Sequence, residues 1–229
     1  MKIEIYSDIH CPFCYLGKRR LELDLAKLPN GDKVEILYRG YVLDPKAEKV
    51  QNRSVYEAQA VRKGMEASVI EANYQNIAEQ GKEYGMNCNM DAVVPTNTID
   101  ALALVQFAQT KGLQSLVMEK LYEAYYVNGK NISDWDQLVQ IGLEAGLSAS
   151  EIREALGSGL YQEIVLNDDK FARAKKIEGI PYFVVNGQHE FFGSTEMAKV
   201  VECLQKGMRP KLQEIKPPSD MACKDGACG

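Results

Sequence analysis

The sequence predicts an α/β fold in which one small sheet is built from both ends of the chain and split by a long helical block. Three observations predict it. Residues 2–38 read strand–helix–strand, the unit whose crossover makes two strands parallel. From about 50 to 175 the chain turns rich in Ala, Glu, Gln, Leu and Met at helical spacing, with almost no strand signal. Strand character then returns at Tyr182–Val185, followed by Asn186-Gly187, a strong hairpin signal.

Taken in order, Ile3 to Tyr6 alternate as a strand, and Ser7-Asp8-Ile9-His10 connects it to a helix opened by Cys11. Pro29-Asn30-Gly31 stops that helix, and Val34 to Tyr38 form the second strand. Helices are expected over 54–84 with a break near Gly64, and then over 97–110, 113–127, 134–145, 149–156 and 159–176. Asn131-Ile132-Ser133 matches the glycosylation-acceptor pattern, and Ser133 is read instead as a helix cap. Gln188 to Phe192 supply a return strand, and Thr195 to Lys206 a last helix. Each α/β half holds too few strands to be stable alone, so the halves are expected to pair. The expected division is 1–45 with 173–208 as one discontinuous unit, 46–172 as a helical insertion, and 209–229 as a cysteine-containing tail.

Composition narrows the function classes. The 229 residues carry a formal charge of -5 and 45% hydrophobic residues, ordinary for a soluble globule. Without a basic excess there is no electrostatic footprint of a nucleic-acid binder. No apolar run approaches the roughly 18 residues of a membrane span. No apolar stretch of roughly 7–15 residues follows a basic start, so no secretory signal is read and a cytoplasmic location is expected. In a reducing compartment, paired cysteines are more often catalytic or metal-binding than structural.

The six cysteines are Cys11, Cys14, Cys88, Cys203, Cys223 and Cys228. In Cys11-Pro12-Phe13-Cys14 the first sulfur falls at a helix start, near unpaired backbone N–H groups and the positive end of the helix dipole. Both favour thiolate, lowering the thiol from ~8.5 toward roughly 3.5–7.5. Pro12 suits the first turn because its missing N–H would have been unpaired there. Cys14 lies on the same helical face, within disulfide reach and deeper. Cys11 is then the attacking sulfur and Cys14 the resolving one. Half a zinc site or two inert buried cysteines are the alternatives, but no second ligand pair follows at short range.

Gly179-Ile180-Pro181-Tyr182 leads into the third strand. Pro181 either simply begins the strand or forms a cis bond with Ile180 in a tight turn facing Cys11.

Ser7-Asp8-Ile9-His10-Cys11-Pro12-Phe13-Cys14-Tyr15-Leu16-Gly17-Lys18 resembles the active-site segment of DsbA-family oxidoreductases, specifically the FrnE-like branch. Tyr38-Arg39 to Leu43-Asp44-Pro45, Thr96-Asn97-Thr98 to Ala101, and Gly179-Ile180-Pro181 to Asn186-Gly187 are similar too, in the same order over residues 1–206. The resemblance implies a thioredoxin fold interrupted by a helical domain, with a dithiol–disulfide exchange site. It implies that Cys11 attacks a substrate disulfide, that Cys14 resolves the mixed disulfide, and that Pro181 is cis and touches the substrate. Related glutathione-linked isomerases and kappa-type transferases share the architecture but lack the cysteine pair.

His10, Asp8 and Glu4 are the acid–base candidates. His10, if protonated, stabilises the Cys11 thiolate; the alternative is a solvent-facing loop histidine. Glu4 is a candidate proton shuttle beneath Cys14, and Asp8 is expected to order the loop. Phe13 and Ile180 are further candidate modulators. Cys223 and Cys228 form a candidate second redox pair, with incidental thiols or a soft-metal site as alternatives. Cys88 and Cys203 are read as structural.

The expected activity is protein thiol–disulfide exchange, with disulfide isomerisation as an extension. Rival readings are a glutathione-linked isomerase or transferase and a non-catalytic chaperone or metal-binding module. No metal and no cofactor beyond the cysteine pair is expected, with glutathione or a thioredoxin system as candidate electron partner. Expected partners are proteins bearing thiols or disulfides, with neither nucleic acid nor membrane among them.

Overall fold

β1 (Lys2–Ser7) is paired on both sides, and those two pairings organise the molecule. The computed structural model describes residues 1–49 and 52–208. On one side β1 runs parallel to β2 (Glu35–Gly40), reached through α1 (Pro12–Ala26), with Ile5 opposite Tyr38. On the other it is antiparallel to β3 (Tyr182–Val185), with Ile5 opposite Phe183. β4 (His189–Phe192) closes the sheet in the order β2-β1-β3-β4. The mixed sheet predicted from sequence is the one observed.

Local chemistry explains the boundaries. α1 ends before Asn30, whose φ of 60° breaks the helical path. Asn186 and Gly187 both have positive φ, at 52° and 69°, as the tight turn between β3 and β4 requires. Asn186 Oδ1 accepts from Lys2 N at 3.0 Å while Asn186 N donates to Lys2 O at 2.9 Å, so the turn also clamps the start of β1.

Between the halves of the sheet lie α2 (Val55–Lys63), α3 (Ala67–Lys82), α4 (Ile99–Gln109), α5 (Gln114–Tyr122), α6 (Trp135–Glu144), α7 (Ala149–Gly157) and α8 (Leu160–Ala174). A capping box of Ser54 and Glu57 starts α2. Residues Ala101 to Ala108 of α4 are buried all round, which makes it the centre of this block. α5 continues as a wider π turn over Glu123–Val127, not as the uniform helix expected from sequence. That turn buries Tyr125 and Tyr126 side by side. α9 (Met197–Met208) follows a 3₁₀ turn and packs on α1 and β3.

Ser133 does not cap a helix. Asp134 caps α6 by accepting from Asp136 N at 2.8 Å. Ser133 instead donates to Lys49 O at 2.8 Å, beside Thr96, which donates to the same carbonyl at 2.7 Å. With Asn97 donating to Ala47 O, these residues tie the 44–49 loop to the helical block. With Asp134 in the cap position, the hydroxyl one residue earlier is free to serve a distant carbonyl.

The two faces of the sheet differ. Ile3, Ile5, Phe183 and Val185 are buried on the α1 and α9 side. Glu4, Tyr6, Tyr182 and Val184 alternate with them and face α8. The outer edge of β2 is closed by side chains: Gln114 Oε1 accepts from Tyr38 N at 2.9 Å, and Gln106 and Gln114 donate to Tyr38 O. Among the described residues no helix is long and apolar enough to cross a membrane.

α8 approaches β2 so closely at Gly40 that a Cβ there would lie 2.9 Å from Val165 Cγ1 and 3.0 Å from its carbonyl oxygen. Gly40→Val is therefore expected to lower stability by about 1–3 kcal/mol through overpacking. Urea unfolding would read this as a reduced midpoint at unchanged slope.

Candidate functional site

The turn from β1 into α1 carries the first cysteine. Cys11 is the residue just before the helix, with extended φ and ψ, and Pro12 occupies the first helical position. Asp8 orders the turn: its Oδ1 accepts from His10 N at 3.1 Å, its Oδ2 from Leu43 N at 2.7 Å, and its carbonyl from Cys11 N at 3.1 Å. Ser7 through Pro12 are all buried. Cys14 follows one turn along α1 and is buried more deeply than Cys11. Both are free thiols here.

Across from them, the Ile180–Pro181 bond is cis. Cys11 Sγ donates to Ile180 O at 3.6 Å. Pro181 packs on α1 at Gly17, where an added Cβ would sit 3.2 Å from Pro181 Cγ. The end of β1, the start of α1 and the start of β3 thus converge on one sulfur.

The two thiols have opposite environments. Cys11 is pulled below its ordinary value of 9.0, first by hydrogen bonding from the Cys14 thiol and then by the first-turn N–H groups of Cys14 and Phe13; burial and Asp8 oppose this. Cys14 is pushed well above 9.0 by burial and by donating to Cys11. The folded environment therefore favours ionisation of Cys11 and opposes that of Cys14. Ser7 lies against Cys14, and its hydroxyl is 2.9 Å from that of Tyr122.

Cys11 opens on a cleft of about 200 Å³. Its walls come from Phe13, Leu43, Tyr74, Ile180 and Phe192, with Arg62 and Lys63 of α2 at the rim. Phe13 and Phe192 are exposed, at 44% and 56%, and give the mouth of the cleft an apolar side.

Of the residues singled out from sequence, Cys11, Cys14, Pro12, Phe13, His10, Ile180 and Pro181 come together here. Two readings are corrected. His10 is not solvent-facing: it is 4% exposed, its ring 5.8 Å from that of Tyr125, and neither ring nitrogen has a hydrogen-bond partner in the protein. The cover is supplied by the helical block, which local sequence around His10 does not reveal. Glu4 is not beneath Cys14 either. Alternation along β1 turns it to the α8 face, where Arg39 pairs with it at 2.6 Å. Burial raises the Glu4 carboxyl, but hydrogen bonding and charge from Arg39 leave it below its ordinary value. Cys223 and Cys228 lie outside the described residues. Among those residues, no group of three or more His, Cys, Asp or Glu is arranged to hold a metal ion.

Sequence reasoning missed Ser7, Tyr122, Arg62, Lys63 and Tyr74. Ser7 ends β1 at the start of the Ser7–His10 connection and could have been weighed with Asp8. The others belong to helices whose periodicity reads only as amphipathic packing.

A sheet of this order, a helix beginning at a Cys-x-x-Cys pair and a cis proline facing it define a thioredoxin-fold dithiol protein. The chain matches the family model for the DSBA-like thioredoxin domain over residues 2–205, and it belongs to that family of thiol–disulfide oxidoreductases. It is similar to a probable DsbA oxidoreductase from Streptomyces coelicolor, with 28% identity, 94% of each chain covered and a TM-score of 0.82. An uncharacterized protein of Bacillus subtilis, YwbO, is 25% identical over 185 residues, 80% of this chain and 86% of that one. The cytosolic disulfide reductase DsbM from Pseudomonas aeruginosa shares the fold at 15% identity, with 91% of this chain and 99% of that chain covered and a TM-score of 0.64.

Because the folded environment lowers Cys11, its alkylation by iodoacetamide should rise with pH and level off below the ordinary thiol value of 9.0. Cys14 should stay unreactive across that range. Mass spectrometry of the labelled site against pH reads both; a Cys11 profile centred at or above 9.0 contradicts the electrostatic assignment.

Proposed function

We propose that the protein exchanges disulfides with polypeptide substrates, Cys11 acting as nucleophile and Cys14 as resolving thiol. The observation that carries this is geometric: two cysteines one helical turn apart, the outer one at the start of α1 facing an open cleft beside Ile180 O and the inner one buried behind it. In the reducing direction, the Cys11 thiolate attacks one sulfur of a substrate disulfide, forming a mixed disulfide and expelling a substrate thiolate that takes a proton from water. Cys14 then gives up its proton and attacks Cys11 Sγ, breaking the mixed bond and releasing the second substrate thiolate. Two electrons have passed to the substrate and the protein holds a Cys11–Cys14 disulfide; the oxidising direction is the reverse.

Cys14 loses its proton most easily once Cys11 is in a mixed disulfide, because the neighbouring negative charge is then gone. With Glu4 held by Arg39 on the opposite face, the proton leaves by the cleft or through the Ser7 hydroxyl. Pro181 and Ile180 form the wall against which the substrate strand lies, with Phe13 and Pro12 opposite. His10, buried beside Cys11 in the wall of the cleft with no hydrogen-bond partner for its ring, is a modulator of the Cys11 environment. The reading includes the FrnE-like branch, a cytoplasmic setting, glutathione or a thioredoxin system as electron partner, and disulfide isomerisation when Cys14 resolves slowly.

Reduction of insulin tests the mechanism. Cys11→Ser should lose at least a hundredfold in rate, and Cys14→Ser should accumulate covalent mixed disulfide visible on non-reducing gels. Equal rates for wild type and Cys11→Ser reject it. If Cys14→Ser turned over without trapping, a glutathione-linked isomerase or transferase would be the better reading.

For the tail we propose a second redox pair, Cys223 and Cys228, relaying electrons to or from Cys11–Cys14. Replacing both by serine in the full chain should slow repeated turnover several-fold while leaving the first, single turnover intact. Identical steady-state rates reject the relay.

A further inference from the structure

The cleft over Cys11 has a charge pattern that thiol exchange alone does not require. Among the described residues its walls include two cations, Arg62 and Lys63, and no carboxylate, in a chain whose formal charge is -5. Among the described residues neither cation makes an ion pair. Asp8, in the turn before Cys11, is buried and already accepts from His10 N and Leu43 N. The recess on the far side of Arg62 carries both signs, with Asp44 and Glu48 beside Lys46 and Arg53, so the unbalanced charge is confined to the cysteine side.

Arg62 is also positioned. Its Nε and one Nη donate to Gln59 Oε1 at 2.9 and 2.6 Å, and Gln59 is 5% exposed. A buried neutral amide fixes the guanidinium plane without neutralising it, which leaves a full charge and further N–H donors for a ligand. Burial and the neighbouring Arg62 lower Lys63, whereas the Cys11 sulfur in the same cleft favours its charged form. Basic residues at the end of α2 do complement the helix dipole. The dipole accounts for neither the absence of acids from the walls nor an amide in the place where a carboxylate would have quenched Arg62. Of the remaining walls, Phe13, Leu43, Ile180 and Phe192 are apolar, while His10 and Tyr74 carry no fixed charge.

We propose that this cleft selects polypeptide disulfides whose attacked cysteine is flanked by an acidic residue, received by Arg62 and Lys63. The inference rests on the thiol-exchange reading above. It specifies the substrate class: an acidic side chain next to the cysteine, with an apolar residue seated between Phe13 and Phe192. In the proposed geometry Gln59 is a positioning residue, acting through Arg62.

The test uses disulfide-linked homodimers of one short peptide, identical except that the residue beside cysteine is Glu, Gln or Lys. Each rate with the reduced full-length protein is divided by the rate of the same peptide with dithiothreitol, which removes the effect of the flanking residue on the cysteine itself. The normalised second-order rate constant for this single turnover should favour Glu over Lys by about tenfold at low ionic strength. That ratio should fall toward one near 1 M salt, where the screening length shrinks to ~3 Å. Arg62→Gln with Lys63→Gln should bring the ratio to about one, and Gln59→Leu, which keeps both cations, should reduce it by about half. Iodoacetamide labelling of Cys11 and the far-UV spectrum report that each variant is folded. Equal normalised rates for the three peptides, or a ratio that survives the double substitution in folded protein, overturn the proposal. If wild type reduces none of the peptides, the thiol-exchange reading itself has failed.

Discussion

The pairing of β1 with β3 is the constraint on which the rest depends. Ile3 meets Val185 and Tyr6 meets Tyr182, so nearly the whole chain must close before the sheet exists. Such closure is entropically costly, though the cost grows only slowly with loop length. It is offset by burial of Ile3, Ile5, Phe183 and Val185 against α1 and α9. The same closure brings the Ile180–Pro181 turn over the start of α1, so the site and the sheet assemble together.

From that juxtaposition follows the chemistry of the two sulfurs. Cys11 stands where the first-turn N–H groups point, and the thiol of Cys14 donates to it from the same helix. Cys14 is deeper, surrounded by Ser7, Tyr122 and the core, and there a charge is costly. The division of labour between identical side chains is thus a matter of depth and of helix position. The tyrosine cluster that seals this floor comes from elsewhere: Tyr15 of α1 stacks on Tyr122 at 4.7 Å, and Tyr122 and Tyr126 belong to the end of α5 and its π turn. Glu119 adds a polar seam, accepting from Tyr15, Lys18 and Arg19 across the α1–α5 contact.

The helical block shapes the cleft as well as covering it. α2 supplies Arg62 and Lys63, α3 supplies Tyr74, and Tyr125 presses on His10. α8 covers the opposite face of the sheet, with Asp168 accepting from Gly40 N at 3.1 Å and taking part in the Arg39 pair network that holds Glu4. Two faces of one strand therefore serve different ends, one apolar and joined to the redox helix, one ionic and joined to the last helix of the block.

Local signals carried the strands, the breaks at Pro29-Asn30-Gly31 and Asn186-Gly187, the helices, and the Cys11–Cys14 pair with Pro12, because turn chemistry, periodicity and the start of a helix act over a few residues. The placement of Glu4 was in principle readable from alternation, yet which face of β1 meets α1 depends on packing. His10 was misread for the same reason: exposure is a property of what covers a loop, and Tyr125 arrives from more than a hundred residues away. Ser133 lost its capping role to Asp134 and a distant carbonyl. By itself the sequence determined which sulfur begins a helix and where the strands start and stop. Only the tertiary structure decided which carboxylate lies near that sulfur, which aromatic floor seals it and which cations rim it, since burial and charge proximity are set by elements that meet only when the sheet closes.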